Sequence, residues 1–295
     1  MYCMNKRWLG ILNAALAAAF YGLNPLFALP LYHLGFSVEE AVFCRYFFGV
    51  LMMAAVMLFY GKSLFLPRKY LFLMIVAGFF MSGSSLTLFQ SYKEMDVGIA
   101  ATILFVYPIL VAAIMVVGYR EKITISTVAS ILAALLGVGV LSCSGGGKVT
   151  LFGVFIVLMS SLTYAIYLVE VKVSRLKELT FETLTFYTLV FGLVLTSVCT
   201  NPVSALSRLT TFTGWTCVIL GAFFPTVLSL FTTALAIRYV GPTTTAVLGA
   251  LEPTTSVLIG VVIFGEIFTL SLGIGLVLIV TAVVLIVMNP PKNVS

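Results

Sequence analysis

Charge is what this sequence has least of. Only 9% of its 295 residues are Asp, Glu, Lys or Arg, against about 25% in a soluble protein. Hydrophobic residues make up 61%, and the mean hydropathy is +1.18. These values exclude an ordinary soluble domain. The apolar runs are long and do not alternate with period two, which points to α-helical spans and away from a membrane β-barrel. Histidine is almost absent: His33 is the one such residue, and it falls in an expected loop. The five cysteines, Cys3, Cys44, Cys143, Cys199 and Cys217, are scattered and have no CxxC spacing. They read as small apolar fillers, and neither a metal site nor a cofactor is expected. The phosphate-binding pattern GxxxxGK[ST] is missing, so the chain has no ATPase of its own. HExxH, GxSxG and paired catalytic carboxylates within one segment are missing as well, which argues against a membrane-embedded enzyme. The net charge of +6 would suggest nucleic acid in a soluble domain. In a chain this apolar it bears on topology instead, and no nucleic-acid partner is expected.

What is present is a series of apolar spans. After a short basic lead, Met1 to Arg7, the first runs from Trp8 to about Pro30. It is too long for the core of a signal peptide and is echoed later in the chain. Ser37, with Glu40 three residues on, forms a capping box that opens the second span, near Glu39 to Tyr60. The third covers about Tyr70 to Gln90. The fourth covers Val97 to Gly118 and is interrupted at Tyr107-Pro108; the fifth covers Thr124 to Cys143. Ser144 to Gly147 is a small-residue linker close to the midpoint. The sixth and seventh spans are about Leu151 to Val169 and Phe181 to Thr200. Asn201-Pro202 opens a polar loop, and the eighth to tenth spans are Trp215 to Ile237, Gly241 to Glu266, and Leu270 to Met288. The length criterion therefore gives about ten transmembrane helices.

The two halves resemble each other. Ser37 to Gly49 reads S-x-E-x3-F-x4-F-G, and Thr180 to Gly192 reads T-x-E-x3-F-x4-F-G. Leu9-Gly10…Tyr21 is echoed by Phe152-Gly153…Tyr164, and Pro108 precedes Glu121 by the same interval as Pro253 precedes Glu266. Five spans per copy is an odd number, so the copies must point oppositely. The expectation is an all-α integral membrane protein of ten helices in two inverted five-helix repeats, residues 1–145 and 146–295, forming one structural domain with a site between them. Basic residues fix the orientation. With the N-terminus in the cytoplasm, Lys93, Lys148 and Arg208 fall outside, while Lys6, Arg7, Lys62, Arg68, Lys69, Arg120, Lys122, Lys172, Arg175, Lys177, Arg238 and Lys292 fall inside. Both termini are expected in the cytoplasm.

Two charges lie within spans, where each costs a few kcal/mol. Glu252 stands near the middle of the ninth span with Pro253 after it. On a helix, Thr245, Gly249, Glu252, Ser256 and Gly260 share one face, a small and polar stripe that turns toward protein or a water-filled cavity. Glu252 is then a transport-path residue, or one more hydrogen-bonding group in a tight helix seam. Arg45 lies about two turns inside the second span. It could snorkel to the near surface, pair with a carboxylate, or meet an anionic group of a substrate, with snorkelling the default. Both are candidates for charge coupling. Asn13, Tyr21, Asn24, Tyr107, Tyr164, Tyr167 and Thr232 are polar or aromatic where a lipid-facing helix prefers aliphatics. Together with Glu252 and Ser256 they are the candidates for a central cavity. Pro108 and Pro253 are expected to kink their helices.

These features resemble a known family. Phe20-Tyr21-Gly22-Leu23-Asn24-Pro25 in the first span, Leu251-Glu252-Pro253 in the ninth, Gly265-Glu266 after it and the ten spans in two copies look like the EamA-type transporters of the drug/metabolite transporter superfamily. Tyr107, standing where the second copy has Glu252, departs from symmetry. The resemblance implies a secondary transporter of small metabolites, such as an exporter of amino acids or related compounds, working in the cytoplasmic membrane by alternating access. The partners it implies are a small-molecule substrate and membrane lipids, with homo-oligomerisation left open. A membrane-embedded enzyme and a lipid-contacting structural protein are the competing classes.

Overall fold

The structure, a computed structural model, describes residues 2–95, 100, 103–122, 124–142, 150–263 and 270–288. Among these residues the architecture is all-helical, with no β-strand. The first half contains α1 (Tyr2–Tyr21), α2 (Asn24–His33), α3 (Val38–Phe59), α4 (Arg68–Glu94), α5 (Tyr107–Tyr119) and α6 (Ile125–Ser142). The second contains α7 (Leu151–Val173), α8 (Phe181–Cys199), α9 (Pro202–Ser207), α10 (Phe212–Ala222), α11 (Ser229–Leu248), α12 (Leu251–Ile263) and α13 (Leu270–Met288).

Among the described residues six helical stretches are long and apolar enough to cross a membrane: Lys6–His33, Val38–Phe59, Arg68–Glu94, Leu151–Val173, Phe181–Cys199 and Phe212–Leu248. Shorter apolar helices lie at Tyr107–Tyr119, Ile125–Gly137 and Gly273–Leu285. Part of the expected fourth span and the end of the ninth, with Gly265 and Glu266, lie outside the described residues.

The helices pack in a regular pattern. α1 packs on α11, α4 on α7, α3 on α8 and α6 on α13. Counted within each half, first meets third, third meets first, second meets second and fifth meets fifth. Exchanging the halves leaves this pattern unchanged. The seams use small residues that let backbones approach. On the α4–α7 seam Ser84 and Ser160 hydroxyls lie 3.0 Å apart, and Ser160 also donates to the Ser84 carbonyl at 2.8 Å. Ser161 donates to the Leu104 carbonyl at 2.8 Å, and across α11 and α1 Ser229 donates to that of Ala17 at 3.0 Å.

The capping box forms as its spacing predicts. The Glu40 amide donates to Ser37 Oγ at 3.1 Å, and the Ser37 amide to Glu40 Oε2 at 2.9 Å. The other Glu40 oxygen accepts from Ser204 Oγ and Arg208 Nε, each at 3.0 Å, which ties the 200–211 connection to the start of α3. That connection is not simply a polar loop. Asn201 Oδ1 accepts the Val203 and Ser204 amides at 3.0 and 3.3 Å and starts the short α9, with Pro202 in its first turn.

Several expected spans are broken helices. The first turns at Gly22-Leu23 before α2 begins with Asn24-Pro25. The eighth passes through a π-helical stretch, Phe223–Leu228, which contains Pro225, and Thr226 Oγ1 donates to the Gly221 carbonyl at 2.9 Å. The ninth opens on one break and is interrupted by another. Gly241 has φ 83° and ψ 166° ahead of Pro242, a left-handed φ that glycine adopts without a Cβ penalty. A turn at Gly249-Ala250 then separates α11 from α12. The prolines expected to kink helices therefore sit elsewhere. Pro108 and Pro253 lie in the first turns of α5 and α12, where a missing N–H leaves no helical bond unmade.

Candidate functional site

Two of these breaks, at Gly22 and at Gly249, meet at a narrow central cleft. Its walls are Ala14, Ala17, Ala18 and Tyr21 of α1, Tyr107 of α5, Tyr164 and Leu168 of α7, Thr233 and Thr245 of α11, and Gly249 and Glu252 at the α11–α12 turn. Alanines on α1 give it room, while three tyrosines give it apolar area with polar tips. Tyr21 and Tyr164 stack at 6.2 Å between ring centroids with their planes 11° apart. Tyr107 meets Tyr164 edge-on at 4.9 Å and 73°.

The tight fit explains Gly249. A Cβ there would stand 1.6 Å from the Tyr107 hydroxyl and 2.8 Å from the Ala246 carbonyl. Without a side chain at this turn, Tyr107 reaches the wall immediately before Glu252. Gly22 does the same on the opposite side, where a Cβ would stand 2.6 Å from the Glu252 carbonyl. Thr245 Oγ1 donates to the Gly241 carbonyl at 2.7 Å, an i−4 back-bond within its own helix. The carboxylate of Glu252 thus sits at the start of a helix, among tyrosines and threonines, in a space reached from both halves of the chain.

Of the residues expected at a central cavity, Tyr21, Tyr107, Tyr164 and Glu252 come together here. Asn13 does not line the cleft: its amide donates to the Leu9 carbonyl of its own helix at 2.7 Å. Tyr167 is 1% exposed and stacks behind Tyr164 at 6.4 Å. Thr232 is turned away and donates to the Leu228 and Ser229 carbonyls at 2.6 and 3.1 Å. Its neighbour Thr233 takes the wall position instead. The side chain of Ser256 lies outside the described residues.

Arg45 and Asn24 line a second, tight cavity together with Phe27, Ala28, Leu31, Ala41, Phe89, Cys217, Val218 and Gly221. Arg45 does not snorkel: it is 5% exposed. Its guanidinium donates to Asn24 Oδ1 and, at 3.1 Å, to Ser85 Oγ, and lies 4.6 Å from the centre of the Phe89 ring. A short polar tether holds it inward, and a ring face shields it. Tyr21, on the wall of the central cleft, lies within electrostatic reach of both Arg45 and Glu252. Sequence reasoning missed Thr233 as a wall residue; the Thr232-Thr233 pair was the available signal.

The comparisons agree on the architecture. A solved crystal structure superposes with a TM-score of 0.76 at 19% identity, covering 95% of this chain and 97% of its own. No curated protein matches the sequence. The EamA-like transporter family matches twice in tandem, over residues 8–143 and 151–288. Together the two matches take in nearly the whole chain, which is therefore a multi-pass membrane protein belonging to the EamA-like transporter family.

Proposed function

We propose that this protein is a secondary transporter that moves small metabolites, foremost amino acids or related compounds, out of the cell across the cytoplasmic membrane. One observation carries the reading: the central cleft draws its walls from both family-matched stretches and places an intramembrane carboxylate, Glu252, at a helix break. Intramembrane ionisable groups mark substrate or ion pathways, and broken helices at corresponding places in two repeats mark the binding site of many transporters. Helix pairing that survives exchange of the halves supports two five-span repeats, 1–145 and 146–295, ten spans in all; the odd span count makes them inverted, and the distribution of basic residues favours both termini in the cytoplasm. Alternating access then consists of rocking one repeat against the other around the cleft. The tyrosines suit amphipathic cargo, and Glu252 serves either as a proton carrier or as the partner of a substrate ammonium.

The test is uptake of a labelled amino acid and metabolite panel into proteoliposomes, with and without an imposed pH gradient. Saturable uptake of at least one compound above empty liposomes is expected. Absence of such uptake for the whole panel would sink the reading.

A further inference from the structure

The second cavity lies apart from the central cleft. The geometry points to Arg45 and Asn24 as a binding site for a carboxylate carried on an apolar body, one that receives part of the transported cargo. The cargo clause rests on the transport reading above; the binding site does not.

The cavity holds unmatched donors. Among the described residues Arg45 has no acidic partner within ion-pair distance. Its two tether bonds, to Asn24 Oδ1 and Ser85 Oγ, go to neutral groups. Its Nε is buried with no hydrogen-bond partner, and so is Asn24 Nδ2. The amide orientation is fixed, because a guanidinium can only donate and so must face Oδ1, which leaves Nδ2 pointing away as a donor. Both residues line the same cavity, and they are 5% and 3% exposed. A buried charge is normally paired, and a buried donor is normally satisfied. One positive charge and two free donors in one small space match a monoanion with two acceptor oxygens.

The remaining walls select what carries the anion. Phe27, Leu31, Phe89 and Val218 offer only apolar surface. A carboxylate on an aromatic or aliphatic body satisfies both parts of the cavity. A phosphate dianion would bring a second charge for which no further cation lines the space, and chloride would leave the apolar walls without a partner.

The experiment is equilibrium calorimetry on the full chain in lipid nanodiscs, with phenylacetate as probe and phenylacetamide as its neutral counterpart. Phenylacetate is expected to bind, with the amide weaker by about tenfold, the weight of one charge-assisted hydrogen bond. Arg45→Gln should weaken phenylacetate by at least as much. Because that variant removes a buried tether, Asn24→Asp serves as the second. It supplies a carboxylate to Arg45 from within the chain, so the protein should melt no lower than the parent yet lose phenylacetate binding. Asp at the first residue of α2 also favours the helix start, so the ligand response decides and the melting temperature serves only to show folding. Equal affinity for acid and amide, binding unchanged in Asn24→Asp, no phenylacetate binding, or tighter binding of phosphate or chloride would each overturn the assignment. Binding is read without flux. A protein that transports but fails this test disproves the carboxylate site alone; one that passes but transports nothing disproves the transport reading.

Discussion

The two halves share a plan but not a chemistry. The motif that begins at Ser37 in one and Thr180 in the other aligns Arg45 with Thr188, and the prolines align Tyr107 with Glu252. Each half thus contributes one intramembrane charge at a place where its counterpart has a neutral hydroxyl. The cation comes from the first half and the carboxylate from the second, with the Tyr21–Tyr164 stack, itself a pair of matching positions, lying in the interface. A repeat supplies matching helix breaks. Divergence at a few positions within it then supplies polarity, a plus side and a minus side, which a perfectly symmetric pair could not offer to a single bound molecule.

The largest expected effect lies where the two break positions touch. Gly249→Ala would drive a methyl into the Tyr107 hydroxyl, an overpacking that costs about 1–3 kcal/mol, and it would also displace Glu252. Melting temperature and flux should both fall. Tyr107→Phe removes the nearest clashing atom and should restore part of the stability in the double variant. The ring carbon at 2.9 Å remains, so the rescue stays incomplete. Strictly additive losses would show that the two residues do not meet.

A second pair tests how far equivalence of sequence carries into packing. Gly49 and Gly192 end the same motif, yet a Cβ at Gly192 would stand 2.4 Å from the Tyr46 ring, while one at Gly49 would meet Leu189 and Thr226 at an ordinary 3.5 Å. Gly192→Ala should cost about 1–3 kcal/mol by overpacking, and Gly49→Ala should stay within about 1 kcal/mol of the parent. Comparative melts in the same detergent decide this, and equal losses would contradict the structure.

The smallest effect concerns Glu121, which follows α5. Thr243 on the opposite half donates to its Oε2 at 2.7 Å, while Oε1 is buried without a hydrogen-bond partner among the described residues. Burial pushes this carboxyl above its ordinary 4.5, with the Thr243 bond and then Lys172 opposing. A raised value means that the carboxyl favours folding most when protonated, and that this support is lost as pH rises through its folded value. Thr243→Val removes the opposing donor and should raise the value further. The variant should lose about 1 kcal/mol above that range and less on the acid side of 4.5. A pH series of melts checks this; a loss that grows on acidification would reverse the sign.

Much of this was legible in the sequence because local signals are short-range. The Ser37–Glu40 box needs only its own turn, and α13 runs over Leu270–Met288 as hydropathy alone suggests. The stripe of Thr245, Gly249 and Glu252 reaches the cleft because its spacing survives the turn at Gly249. Thr233 was not legible in the same way. The π-helical stretch at Phe223–Leu228 resets the helical phase before it, and one residue of phase is about 100° of rotation. Nor was the inward course of Arg45, since Asn24 and Ser85 come from other helices and only the tertiary fold brings their oxygens to it. The break at Gly241 was open to inference from Gly-Pro, but not its left-handed φ.

The central claim is that the carboxylate supplied by the second half works in transport, as a proton carrier in its strongest form. Glu252→Gln tests it most directly, since the amide keeps the size and much of the hydrogen bonding but cannot titrate. In proteoliposomes the account predicts a folded variant that exchanges substrate across the bilayer and no longer accumulates it under a pH gradient. Accumulation that survives the substitution with its pH dependence intact would contradict it.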